Sequence, residues 1–218
     1  PRRVIIQDPN IAGGWSGIWI DGNATDPLVK GQRVRVRGTV SETNSMTRLI
    51  IATPGDIQVL SSNNPIPNFE VMTPAIVADN KLDGDTTAEK WESVMIRFAN
   101  QCVVSCVNAP SASGCTSEFP VPDTSFRRNF GEILVVYPGE NVEARIELQD
   151  GNHNKVNGWD PAQANYYNQN LPGNLMWKWD GISSLQGVLY YAFGKYKMVP
   201  RTNADFGSII GVEPIGEI

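Results

Sequence analysis

The sequence predicts an all-β fold that contains two copies of one β unit. Three observations support this prediction: short period-2 segments that end at turns, a composition rich in turn residues, and an internal repeat. The 218 residues include 20 glycines and 15 prolines, and only 19% of them are charged. This composition is typical of a turn-rich β protein and does not suit a helical bundle. At about 150 residues per domain, the length allows one large domain or two small ones.

Four short strands are predicted in the first copy, over 4–7, 17–20, 33–40 and 47–51. The first two end at turn sequences that contain Asp, Asn, Pro or Gly. Segment 33–40 alternates most strictly, so its valines share one face and its arginines share the other. The first copy is assigned to residues 1–62, and its short strands are expected to form a small barrel or sandwich.

A linker with short helical turns is predicted over 63–92, because Pro65 and Pro67 cannot continue a central strand. The second copy is assigned to 93–206. Segment 151–180 within it is rich in Asn, Trp and Tyr, and is predicted to be a long ordered insertion loop. The strands predicted in this copy cover 93–105, 132–137, 142–149, 184–191 and 195–199.

The two copies correspond segment by segment. The matched pairs are 4–8 with 133–136, 17–22 with 144–151, 31–40 with 181–189, and 47–51 with 196–199. The copies differ in one respect: the long strand 93–105 has no counterpart in the first copy, which starts at what would be its second strand. A β unit that lacks one strand exposes unpaired backbone groups beside its core, and something is expected to fill the gap.

The most recognisable motifs lie at the start of each copy and at the end of the second. In the first copy they are Gln7-Asp8-Pro9, Trp15-Ser16-Gly17-Ile18 and the segment 31–42; in the second they are 91–97 and, most specifically, 185–201. These motifs resemble the OB-fold modules of large secreted bacterial nucleases and related surface proteins. The resemblance implies two tandem OB-like Greek-key barrels, the first lacking its opening strand. In those nucleases a separate downstream domain carries catalysis. Nothing resembling it is present, so no enzymatic activity is expected.

The C-terminal tail, residues 207–218, is the candidate for the missing strand, because it is apolar and lies beyond the closing motif. The predicted donor residues are Ile209, Ile210, Val212, Ile215 and Ile218. The predicted acceptor residues are Val4, Ile5, Ile6, Val34 and Val36. If the tail docks in its own first barrel, the protein is a closed monomer; if it docks in the next molecule, the contact repeats and builds a filament. We expect the filament, with the chain itself as the only partner.

A secreted, non-catalytic module that binds single-stranded nucleic acid or glycan is the alternative. Arg33, Arg35 and Arg37 project from one strand face, and Trp15 and Trp19 could serve as a stacking platform, as in OB-fold proteins that bind single strands. The simpler interpretation is that these arginines form the solvent face of a half-buried strand. The formal net charge of -5 disfavours a general phosphate-binding role.

An extracellular or cell-surface location is expected from three features, and the resemblance to bacterial modules implies a bacterium. The chain begins at Pro1 rather than Met, which suggests a processed chain. Cys106 and Cys115 bracket a flexible turn that a disulfide could close, with Cys102 as a buried free thiol; a Cys102–Cys115 pair is the other possibility. Asn23 starts an N-glycosylation sequon in a polar turn.

No cofactor is expected. Asp150, Asn152 and Asn154 alternate as calcium ligands do, but Lys155 stands where that loop needs Gly and Pro161 where it needs Glu. A solvated turn is therefore preferred over a structural calcium site. No apolar run approaches the length of about 20 residues that spans a bilayer.

Overall fold

The computed structural model describes residues 4–22, 25, 27–78, 80–109, 132–140, 146–148, 181–192, 194–201, 205 and 207–210. Over these residues the secondary structure is β-strand with short 3₁₀ helices, so the predicted all-β class is confirmed. The strands of the first half are β1 Val4–Gln7, β2 Gly17–Asp21, β3 Arg33–Val36, β4 Thr39–Thr43, β5 Met46–Ile50 and β6 Ile57–Ser61. The strands of the second half are β7 Glu70–Met72, β8 Met95–Phe98, β9 Cys102–Ala109, β10 Glu132–Val136, β11 Ile146–Leu148, β12 Gly181–Ile182, β13 Gln186–Ala192, β14 Lys195–Val199 and β15 Ile209–Ile210. The 3₁₀ helices cover Pro54–Asp56, Pro74–Val77 and Glu89–Trp91.

Strands of the first half pair in the order β1-β2-β5-β4, and β3 pairs with β6. The pair β2–β5 is parallel, whereas β1–β2, β4–β5 and β3–β6 are antiparallel. Only residues 37 and 38 separate β3 from β4, so 33–43 and 46–61 form one long, bent hairpin. Its turn is Asn44-Ser45, both at positive φ, the backbone that tight two-residue hairpins require.

Gly38 marks the bend of this hairpin. A Cβ atom at Gly38 would lie 2.4 Å from the backbone oxygen of Ile50, so no larger residue fits there. Because only a glycine lets the segments 33–43 and 46–61 approach this closely, Gly38 fixes the position of the bend.

Strands of the second half pair in the order β15-β12-β9-β10-β11-β14-β13-β8-β7. Strands β8 and β9 are separated by residues 99–101 alone, and they pair with different partners: β8 with β13, and β9 with β10. The continuous segment 95–109 therefore connects strand β13 to strand β10.

The internal repeat is visible in the pairing. Strands β1-β2-β5-β4 match β10-β11-β14-β13: an antiparallel pair, a parallel pair and an antiparallel pair follow one another in both halves. The segment 95–109 that connects β13 to β10 has no counterpart among the described residues of the first half.

The cores of the two halves differ in size. The second half has the larger one, which includes Phe98, Ile146, Leu185 and Tyr196. Segment 63–92, predicted to be a linker, contributes Met72, Val77, Ala88 and Trp91 to this core, and its strand β7 pairs in parallel with β8.

The first half buries only Ile20 and Ile51 in its own cluster, with partly buried residues around them. A third cluster, formed by Trp19, Met46, Tyr190 and Val199, joins the two halves.

Candidate assembly site

Among the described residues, four strands of the first half are paired on one side only: β1, β3, β4 and β6. Strand β1 pairs only with β2, and β3 pairs only with β6, so each has one side without a ladder partner. We call these two sides the open edges. In the second half, β10 corresponds to β1 and β13 corresponds to the bent strand 33–43, and both are paired with the segment 95–109.

Both open edges border the same small core. Ile6 from β1 and Val36 from β3 pack against the buried pair Ile20 and Ile51. All four residues of β1 are only half-buried, and on β3 the half-buried valines alternate with exposed arginines. The site therefore offers backbone N–H and C=O groups beside a partly covered apolar face, which is what an added strand needs.

The five predicted acceptor residues lie on these two strands, but not on one face. Ile6 and Val36 share the first-half core, whereas Ile5 packs in the opposite direction, against the cluster that joins the two halves. Val4 and Val34 are half-buried. Because successive residues of a strand point to opposite faces, an added strand can meet only one of the two faces at the first-half core.

Hydrogen bonds from backbone N–H groups hold the two halves together at a surface that the sequence did not predict. Gln7 Oε1 accepts a hydrogen bond from the backbone N–H of Met95 at 3.1 Å. The backbone N–H of Trp15 donates to the backbone oxygen of Lys90 at 2.6 Å. These bonds join segments that are far apart in sequence, so hydrophobic periodicity carries no signal for them.

Ring contacts strengthen this surface. Trp19 and Tyr190 meet edge to face, with ring centroids 6.4 Å apart. Trp19 is only 6% exposed, which corrects its predicted role as a stacking platform: a nucleobase cannot reach the ring. Trp15, the other tryptophan predicted for this role, is 67% exposed and has a left-handed backbone (φ 59°).

The three candidate arginines differ in their surroundings. Arg33 and Arg35 are exposed, with no ion-pair partner among the described residues. Arg37 pairs with Asp56 at 2.8 Å, and this contact holds the pKa of that carboxyl below its ordinary value. The basic face is therefore reduced to two free guanidinium groups, both beside the open edge of β3.

The described part of the tail lies on the second half. Ile209 and Ile210 form β15, which pairs antiparallel with β12 of the same chain. This position corrects the predicted donor, because a strand that fills the gap between β1 and β3 needs both of its edges, and β15 already uses one of them. The other predicted donor residues, Val212, Ile215 and Ile218, lie outside the described residues.

The remaining predicted sites are mostly outside the described part. Cys102 is fully buried with a free thiol, as predicted, and burial raises its pKa to about 12. Cys106 lies in β9 and Cys115 outside the described residues, so their disulfide stays a prediction.

The glycosylation and calcium predictions also concern such residues. Asn23 is outside the described residues, but the sequon's Thr25 is buried and donates its hydroxyl to the Gly22 oxygen at 2.9 Å. The turn 150–154 is outside too. Within the described ranges no three His, Cys, Asp or Glu side chains are grouped to hold a metal ion.

Comparisons with models of known protein families, with characterised proteins and with solved structures found no match to this chain. The resemblance to OB-fold modules therefore stays a prediction. In the part of the chain that the structure describes, no helix has both the length and the apolar character to cross a bilayer.

Proposed function

We propose that this protein is a structural subunit of an extracellular or cell-surface filament, in which each copy adds a β-strand to the first half of the next. The observation that carries this proposal is the pair of open edges on β1 and β3, which border one small core. Unpaired strand edges beside apolar side chains favour pairing with another chain.

The comparison between the two halves supports the proposal that the first half has room for one added strand between β1 and β3. We infer that each half is an OB-like Greek-key barrel, because the shared pairing order has the parallel central pair of a five-stranded barrel. In the second half the segment 95–109 pairs with both β10 and β13. An equivalent strand between β1 and β3 would close the first half.

The proposed donor is the tail segment 211–218 of a neighbouring copy. Strand β15 leads into this segment from the edge of the second-half sheet, whereas the open edges belong to the first half. Donor and acceptor are therefore different surfaces, so the contact is head-to-tail and does not close on itself unless a ring forms. Pro214 removes one ladder bond, which limits the fully paired stretch to one side of it.

The firm contact between the halves suits a subunit that transmits load along a filament. Gly17 illustrates it: a Cβ atom there would lie 2.0 Å from the backbone oxygen of Ser93. Only a glycine lets the two main chains meet this closely. A donor strand seated in the first half would therefore be coupled to the second half without a flexible hinge.

The experiment compares the full chain with a variant in which Val212, Ile215 and Ile218 are replaced by Ser. We expect the full chain to form regular filaments in negative stain and the variant to stay monomeric with unchanged circular dichroism. The variant keeps its acceptor but lacks a donor, so mixing it with the full chain should cap and shorten the filaments.

Two results would count against the filament. Filaments of unchanged length in the Ser variant would exclude the tail as donor. A full chain that stays monomeric at all concentrations, and is destabilised by the same substitutions, would mean that the tail closes its own first half.

The extracellular location has separate tests. A Cys106–Cys115 disulfide lowers the mass by two hydrogens relative to the reduced chain, and a glycan on Asn23 is removed by an amidase. Absence of both modifications from the native material would remove the chemical support for that location.

A further inference from the structure

We propose that Arg33 and Arg35 select the donor strand by pairing with Glu213 and Glu217 of the incoming tail, so that filament assembly depends on salt. This inference rests on the proposed function and names the chemistry of its partner: an extended, acidic and apolar segment of a second copy. It assigns a role to the two arginines whose charge the rest of the described structure leaves unpaired.

The acceptor side is defined by the alternation of β3. Val34 and Val36 are half-buried, whereas Arg33 and Arg35 are exposed, so the guanidinium groups lie on the outer face of the open edge. Arg37, one residue beyond the strand, is already paired with Asp56 and does not contribute. A strand added beside β3 would have its outward side chains next to these two arginines.

The donor side is defined by the alternation of the tail. Residues 211–218 contain two glutamates and no basic residue. In an extended chain Glu213, Ile215 and Glu217 share one face, and Val212 and Ile218 share the other. Burying the glutamates beside Ile20 and Ile51 would cost far more than burying the aliphatic residues, so Val212 and Ile218 must face the core.

This orientation brings opposite charges to the same outer face. The glutamates of the tail lie on the side where β3 carries its arginines, and opposite charges on neighbouring strands attract. Ile215, between the two glutamates, is on the outer face as well. On the β1 side of the gap this is the face of Ile5, which packs toward the second half. The tail therefore fits the acceptor in only one of its two possible orientations, with Val212 and Ile218 toward the core and the glutamates on the outer face.

A charge-swap experiment tests the inference. In the full chain, Arg33→Glu with Arg35→Glu should raise the critical concentration for assembly roughly tenfold, because two attractive pairs become repulsive. Adding Glu213→Lys and Glu217→Lys in the same chain should restore assembly. Arg97 is an exposed arginine on β8, away from the open edges. Arg97→Glu is therefore the control for a single charge reversal, and its effect is compared with that of Arg35→Glu alone.

Salt dependence of the unaltered chain is a second measurement that needs no variant to fold. Assembly should weaken between about 0.1 M and about 1 M salt, over which the screening length falls from about 10 Å to about 3 Å. The variant that carries all four charge reversals should show the same dependence of assembly on salt.

The outcomes separate the two proposals. Tail-dependent filaments whose critical concentration ignores both the charge reversal and salt would overturn the arginine–glutamate pairing and leave the filament intact. Absence of tail-dependent assembly in every variant would overturn both. Unchanged assembly with loss of binding to a single-stranded oligonucleotide in the arginine variant would assign these arginines to nucleic acid instead.

Discussion

Glu92 of the second half accepts a 2.9 Å hydrogen bond at Oε1 from the backbone N–H of Thr47 in the first half. Its other oxygen, Oε2, is buried without a hydrogen-bond partner among the described residues. Burial, with a further contribution from the nearby carboxylate of Glu89, raises the pKa of Glu92 to about 8. The surface between the two halves therefore holds a carboxyl group that is protonated at neutral pH.

Stability should fall as pH rises through this window. Between the ordinary pKa of 4.5 and about 8, the folded chain keeps the Glu92 proton while the unfolded chain has released it. Each pH unit in that interval then costs up to about 1.4 kcal/mol, and the loss stops above the folded pKa. Glu92→Gln should remove this slope. Melting temperatures of the two proteins, measured from about pH 5 to about pH 9, check this difference; parallel curves would contradict the assignment.

Gly17→Ala should separate the two halves or unfold the chain. The added methyl group would lie 2.0 Å from the Ser93 oxygen and 2.5 Å from its carbonyl carbon, and both are backbone atoms that cannot turn aside. We expect a loss of at least about 1–3 kcal/mol in urea unfolding. Gly55→Ala is the matched control, since its nearest atom is 3.7 Å away, and it should change stability little.

Two arginine–aspartate pairs of the same chemistry differ in burial, so they test how burial changes the contribution of an ion pair to stability. Arg48, 9% exposed, pairs with Asp21 at 2.5 Å, whereas Arg37, 87% exposed, pairs with Asp56 at 2.8 Å. Arg48→Gln should cost about 1–3 kcal/mol, because it removes a charge-assisted hydrogen bond from a buried arginine to a half-buried carboxylate. Arg37→Gln should cost less than about 1 kcal/mol. Equal effects in chemical denaturation would argue against this difference in burial.

Cys102 should resist alkylation as long as the chain is folded. Its side chain is fully buried, and burial raises its pKa to about 12, so almost no thiolate exists near neutral pH. Iodoacetamide followed by peptide mass spectrometry should find Cys102 unmodified in the native protein and modified in denaturant. Rapid native labelling would show that β9 opens readily.

Local pattern was enough to predict much of the fold. The alternation in 4–7, 17–20 and 33–40 predicted strands that the structure contains, with β3 and β4 divided at the Gly38 bend. The repeat predicted that both halves would share a pairing order, and they do. These features follow from side-chain periodicity and turn residues, which act over a few neighbouring positions.

Several features were not predictable in this way. Strand β6 exposes four of its five residues. Because it has no buried face, its sequence lacks the alternating apolar pattern that would predict a strand. Segment 63–92 reads as a linker because of its prolines, yet it packs in the second-half core. Trp19 was considered as a stacking platform, but it is buried and its ring meets that of Tyr190, a residue far along the chain.

The sequence by itself determined the all-β class and the repeat, because each depends on short-range alternation or on direct comparison of segments. Only the tertiary structure decided that the open edges of β1 and β3 border one core, that the arginine face is reduced to Arg33 and Arg35, and that Ile209 and Ile210 pair with their own chain. Those relationships join residues distant in sequence, and they arise from packing and backbone pairing that no local pattern encodes.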